Sequence, residues 1–158
     1  LGIEDTWWDG SEYHARVWTD LPRPSYTYDE DANGAFYIRN SDNIENDRAS
    51  EYVVVEFRLQ APRQKGDVYI NGMWTNNQYI PQYIMTYNEI DRQYEAKVKL
   101  KQGYYSYRYV VVDNDRPLPV TSEGNFFQTE NTYQALVYYR GIGQRTDLLV
   151  GYKDLKFK

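Results

Sequence analysis

The stretch Glu95 to Asp113, EAKVKLKQGYYSYRYVVVD, limits the folds open to this chain more than any other. Tyr94, Ala96, Val98 and Leu100 alternate with Glu95, Lys97, Lys99 and Lys101, a period of two that puts one face in a core and the other in water. Gln102-Gly103 reads as a hairpin turn, because glycine reaches positive φ without steric cost. Beyond it Tyr105, Tyr107, Tyr109 and Val111 share one face, and Tyr104, Ser106, Arg108, Val110 and Val112 the other. Both faces are largely apolar, which predicts a strand inside a sheet with both sides covered.

The rest of the chain agrees with that beginning. Glu51 to Leu59, EYVVVEFRL, aligns Val53, Val55, Phe57 and Leu59 on one face, and Asp67 to Asn71 resumes as a short strand that pairs with it in a hairpin. Tyr83 to Tyr87 reads as a further strand and Glu89 to Arg92 as a turn. Thr132 to Arg140 and Thr146 to Tyr152 are strands joined through Gly141-Ile142-Gly143, and the second closes the sheet. Pro117 and Pro119 exclude regular pairing between Asn114 and Pro119. With 18 tyrosines, 4 tryptophans and 17% aromatics, the composition suits pleated, half-buried surfaces. The expectation is an all-β, immunoglobulin-like two-sheet β-sandwich of about 8 strands, a count taken from turn spacing. Residues 26–158 form that single domain, and residues 1–25 are an irregular lead-in or inter-domain segment.

Charge and residue usage exclude several functions. The net charge is −5; residues 1 to 60 carry 13 acids and 5 bases, a net −8, and the remainder is +3. Phosphate binding needs a concentrated basic surface, so nucleic acid is not an expected partner. Cysteine is absent, which removes disulfides and thiolate chemistry. No apolar run approaches the ~18 residues that span a bilayer as a helix, so no direct membrane insertion is expected. Leu1 stands without an initiator Met, which reads as a processed product or an excised fragment.

Catalytic signals are sparse. His14 is the single histidine, and no nucleophile elbow lies near it. Asp29-Glu30-Asp31-Ala32-Asn33-Gly34 fits the start of a calcium loop, but the twelfth position is Asn40 where a bidentate Glu belongs, so the segment reads as a turn. No catalytic residue, cofactor or metal is expected. Trp7 and Trp8, adjacent on one strand, point to opposite faces, so one of them packs outside its own sheet: the pair reads either as the aromatic anchor of an edge strand or as a contact for a partner domain.

The segments NGAFYIRN (33 to 40), EYVVVEFRL (51 to 59), GDVYING (66 to 72), LKQGYYSYRYV (100 to 110), EGNFFQTENTYQALVYYR (123 to 140) and RTDLLVGY (145 to 152) resemble the carboxy-terminal half of the type IX secretion system plug protein family. The family's amino-terminal domain has no counterpart in these residues. The resemblance implies a non-enzymatic periplasmic module, peripheral to the outer membrane, that closes or contacts the translocon β-barrel. It also implies an upstream domain of the same parent chain as a partner. A second resemblance, carried by Gly72-Met73-Trp74 and by Gly103 to Asp113, is to starch- and glycogen-binding immunoglobulin-like modules. It implies a glycan platform, for which Trp74, Tyr79 and Tyr83 are the candidates.

Overall fold

The computed structural model describes residues 2–26, 34–40, 48–120, 126–128 and 131–157. The chain divides into two units, Leu1–Gly124 and Asn125–Lys158. Every element longer than three residues is a strand, so the protein is all-β.

In the first unit the alternating segments pair as their patterns require. Strand β4 (Tyr52–Gln60) lies antiparallel to β7 (Gln93–Lys101), with Val55 opposite Val98, Phe57 opposite Ala96 and Leu59 opposite Tyr94. These residues share one face, and Phe57, Leu59, Tyr94 and Val98 are buried, with Val55, Ala96 and Leu100 packed against them. Two more strands extend the sheet on one side, β1 (Ile3–Trp8) and β2 (Tyr13–Val17), and β6 (Thr86–Asn88) extends it on the other, in the order β1-β2-β4-β7-β6. The pairing of β2 with β4 is parallel. Residues 1–25, expected to be irregular, thus supply two regular strands. Their alternation is weak because Trp7, His14 and Arg16 occupy the outer face.

Two expected hairpins are not formed. Strand β5 (Asp67–Asn71) pairs with β9 (Arg108–Asp113) rather than with β4. Pro62 and Gly66 carry the chain out of the first sheet: a Cβ on Gly66 would come within 2.2 Å of the Val112 carbonyl oxygen. Likewise β9 leaves β7. After Lys101 the chain makes a separate short strand β8 (Gly103–Tyr105), which pairs with β3 (Phe36–Ile38). Gly103 is required by close approach to β3, since a Cβ there would meet the Tyr37 carbonyl oxygen at 2.2 Å. The long aromatic run is therefore two strands, and only its second half is covered on both sides, with Tyr109, Val110 and Val111 all buried.

The core lies where the two larger sheets contribute jointly. Phe57, Leu59, Tyr94 and Val98 from the first join Val68, Ile70, Tyr109 and Val111 from the sheet β10-β9-β5 in one buried cluster. Each of the larger aliphatic side chains there contributes about 1.5–3 kcal/mol through burial. The prolines do not prevent pairing: β10 (Arg116–Pro119) sets Pro117 opposite Val112 and Pro119 opposite Val110. It is an edge strand, where a missing N–H costs no ladder bond. Residues 83 to 87 divide between a 3-10 turn, Pro81–Tyr83, and β6, and Glu89 to Arg92 form the expected turn. The described residues hold 12 strands; those beyond the turn-spacing count are β1 and β2 from the segment expected to be irregular, β8 split from the aromatic run, and β10 where the prolines were expected to prevent pairing. Asp29 to Asn33 and Glu123 to Asn125 lie outside the described residues.

The second unit is a hairpin of β11 (Asn131–Tyr139) and β12 (Leu148–Phe157), with a register shift between Val137 and Tyr138. It forms a two-stranded sheet of its own, whereas the sequence pattern was expected to close the main one.

Candidate functional site

Alternation along β11 and β12 is broken in a way that gives both faces of the hairpin apolar character. Leu136 lies opposite Tyr152 and Tyr138 opposite Leu149, while Val137 and the Tyr139–Leu148 pair belong to the other face. These side chains are between 46% and 59% exposed. Ordinary two-sided exposure calls for one polar face, because a strand with both faces apolar is stable in water only when both are covered. The end of the hairpin is held by Arg140, which donates two hydrogen bonds to the Asp147 carboxylate at 2.6 and 2.9 Å. Among the described residues each strand of this sheet pairs only with the other, which gives the sheet two edges of the kind that accept another strand.

The tryptophan pair of β1 behaves as its alternation dictates. Trp7 stacks on His14 with ring centroids 5.0 Å apart and 11° between planes, and the Arg16 guanidinium lies 5.0 Å from its centroid. Trp8, on the other face, leans on Tyr13 at 4.8 Å and is 54% exposed. Trp7 is thus engaged within its sheet, and Trp8 is the member available to a partner.

Of the three aromatic residues expected to form a glycan platform, two are in ring contact with each other. Trp74 and Tyr83 meet edge to face at 5.5 Å, but Tyr79 turns away to Tyr69. The indole of Trp74 also lies against Phe57 at 6.5 Å and Tyr105 at 5.6 Å, and its Nε1–H donates to the Ser106 carbonyl at 3.0 Å. Thr75, buried, donates through its hydroxyl to the Gly72 carbonyl at 2.8 Å and fixes the turn that carries the indole. Packing on Trp74 was missed from sequence because its partners come from three distant strands and loops.

The outer face of the five-stranded sheet is a lattice of paired charges. Glu56 bonds Arg16 at 3.0 Å and Lys97 at 2.7 Å, and Arg58 pairs with Glu4. Desolvation pushes the Glu56 carboxyl up, but the hydrogen bonds and charges of Lys97 and Arg16 outweigh it and hold it below the usual carboxylate value. A shallow concavity lined by Arg16, Glu56, Arg58, Gln93 and Lys97 runs across this face.

His14 has an acid beside it but not the connectivity of a Ser-His-acid triad. Its Nε2 lies 2.8 Å from Asp9 Oδ2, and the Ser11 hydroxyl donates to Asp9 at 2.9 Å rather than to the imidazole. In a triad the hydroxyl and the acid occupy opposite ring nitrogens, whereas here Nδ1 is enclosed and has no hydrogen-bond partner among the described residues. The Asp9 carboxyl is held well below its usual value by the backbone N–H groups of Glu12 and Ser11, then by the side chains of His14 and Ser11.

Fold and surface together define an all-β chain whose first unit has one core shared between two sheets and whose second unit is an apolar hairpin. No family model and no curated protein matches the chain. Among solved structures it is similar to a hypothetical protein from Parabacteroides merdae ATCC 43184, at 36% sequence identity and a TM-score of 0.88. The match covers 99% of this chain and 41% of that one, so the chain spans about two fifths of that protein's length. None of the described helices is long and apolar enough to cross a membrane.

Proposed function

We propose that the chain is a non-enzymatic cell-envelope module of a type IX secretion system plug-like protein, contacting the outer-membrane translocon β-barrel from the periplasmic side. The observation that carries this reading is the β11–β12 hairpin, with Leu136, Tyr138, Leu149 and Tyr152 on one face and Val137, Tyr139 and Leu148 on the other. Tyrosines interleaved with leucines and valines are the composition of a protein-docking surface, where aromatic anchors supply most of the affinity. The open edges suit a partner that is itself β-structured, because strand addition supplies backbone hydrogen bonds as well as apolar contact. In the same reading the five-stranded and three-stranded sheets are the two layers of an immunoglobulin-like sandwich. The core they share supports it.

The test is capture of partners by the affinity-tagged full-length parent protein from detergent-solubilised cell envelopes, followed by mass spectrometry of what is retained. The expected result is co-purification of a large outer-membrane β-barrel of the secretion translocon. Clean recovery of the tagged protein without any such barrel would remove the proposal.

A further inference from the structure

The β1–β2 hairpin brings together three metal-ligating side chains that its sequence, D-x-x-E-x-H, does not advertise as a motif. Asp9, Glu12 and His14 offer oxygen, oxygen and nitrogen atoms that all lie within 4.8 Å of one another. The turn Asp9 to Glu12 and the pairing of Trp8 with Tyr13 and Trp7 with His14 fix their positions. From these contacts we infer that Asp9, Glu12 and His14 bind a single divalent transition-metal ion of the zinc class at the end of this hairpin. The inference stands apart from the secretion reading.

Asp9 and His14 are each oriented by a contact that does not use the ligating atom. Asp9 Oδ1 accepts hydrogen bonds from the backbone N–H of Ser11 at 2.8 Å and of Glu12 at 2.9 Å, and from the Ser11 hydroxyl at 2.9 Å, which turns Oδ2 toward His14. Parallel stacking on Trp7 fixes the plane of the imidazole, and enclosure of Nδ1 leaves Nε2 as the nitrogen able to reach an ion. His14 is 11% exposed at its side chain, so the ring is held while its edge meets the acids. Glu12 Oε2 takes the Lys99 ammonium at 2.6 Å. That ammonium is the cation an ion would displace, and Lys99 is half exposed, so it can withdraw into solvent.

The donor set selects the ion. One imidazole nitrogen with two carboxylate oxygens suits zinc, cobalt or nickel, whereas magnesium and calcium prefer oxygen alone. Ligand atoms on one tetrahedral zinc ion, with bonds near 2.1 Å, lie about 3.4 Å apart. The three atoms, all within 4.8 Å of one another, reach that arrangement when the 2.8 Å Asp9–His14 contact opens and the wider separations close by side-chain rotation. Three protein ligands leave at least one coordination position for water or for a donor from another molecule.

The experiment is calorimetric titration of the chelator-treated 158-residue chain with zinc chloride, paired with thermal melting at each zinc concentration. One saturable equivalent and a melting temperature that climbs with free zinc are expected. Glu12→Gln and His14→Gln should each weaken binding by roughly tenfold or more, since even an outer-shell partner is typically worth about 10- to 100-fold. Lys99→Met should tighten binding, because it removes the competing cation, an effect that scattered surface sites would not show. Melting in zinc-free buffer reports whether a variant has kept its fold, and Glu12→Gln, on the exposed turn, decides the matter if the histidine variant has not. Absence of saturable heat, or heat that persists unchanged in the Glu12→Gln/His14→Gln double variant, would overturn the site.

Discussion

The hydroxyl of Tyr109 donates a 2.5 Å hydrogen bond to Oδ2 of Asp20. The two residues belong to different sheets: Tyr109 is in β9, and Asp20 makes a parallel bridge to Leu59 at the end of β4. Tyr107 donates to the same oxygen at 2.9 Å, and its ring meets that of Tyr109 edge to face at 5.6 Å. A carboxylate shared by two tyrosines thus ties the edge of one layer of the core to the other.

That tie makes stability sensitive to alkaline pH. Burial raises the Tyr109 hydroxyl well above its usual value, with Tyr107 and Asp20 adding to the effect, and burial pushes Tyr105 up to about 12. A group whose pKa is higher in the folded state adds stability below its unfolded value, near 10 for tyrosine, and that stability is lost as pH rises through the folded one. The melting temperature should hold steady to about pH 10 and fall beyond it. Tyr109→Phe should cost about 1 kcal/mol at neutral pH through the lost hydrogen bond and flatten the alkaline fall. Parallel curves for both proteins above pH 10 would show that Tyr109 is not responsible.

Val98 tests the register of the main sheet. It is 1% exposed and lies opposite Val55, so Val98→Asp buries a charge without a partner, and the first unit should lose cooperative unfolding altogether. Circular dichroism melting decides it; a sharp transition at the wild-type temperature is the contrary result.

How much of this was legible beforehand follows from where each signal resides. Strands β4 and β7 were read to within two residues, and their inward faces correctly, because alternation is a local property written into each strand. Which strand sits beside which is not local. The pattern of β5 is equally compatible with β4 and β9, and only the turn at Pro62, with the backbone packed against Gly66, sends it to the second. The proximity of Asp9, Glu12 and His14 was likewise hidden until β1 and β2 were known to pair, since hairpin register, not sequence spacing, brings them together.

Trp74 separates packing from sugar recognition. Its ring is held by Phe57, Tyr83 and Tyr105, so Trp74→Ala should destabilise the unit by about 3 kcal/mol, the lower end for a tryptophan that is only partly buried. Calorimetry with maltooligosaccharides should give no saturable heat. Saturable heat that disappears in a still-folded Trp74→Phe protein would establish a glycan site instead.

The hairpin yields a prediction about partner affinity. An aromatic anchor at an interface is worth about 2 kcal/mol or more, roughly 30-fold in affinity. On the proposed secretion role, Tyr138→Lys should therefore sharply reduce capture of a translocon barrel while leaving the far-ultraviolet spectrum unchanged. Undiminished capture by Tyr138→Lys and by Tyr139→Lys alike would move the contact away from both faces of β11 and β12.

The parallel ladder between β2 and β4, from Tyr13–Val53 to Arg16–Glu56, bears on how firmly the parts of the first unit are held. The hairpin β1–β2 closes locally, and β6 and β7 are near neighbours in sequence. The ladder joins residues 40 positions apart, a separation like that of Val55 and Val98 across β4 and β7, so burial and not loop closure ranks the two pairings: among the described residues no buried member of the core cluster comes from β1 or β2. The amino-terminal hairpin is accordingly the less firmly held part of the sheet. In native-state hydrogen exchange its amides should open at a lower free energy than those of β4 and β7, as a foldon that peels away while the central sheet stays intact.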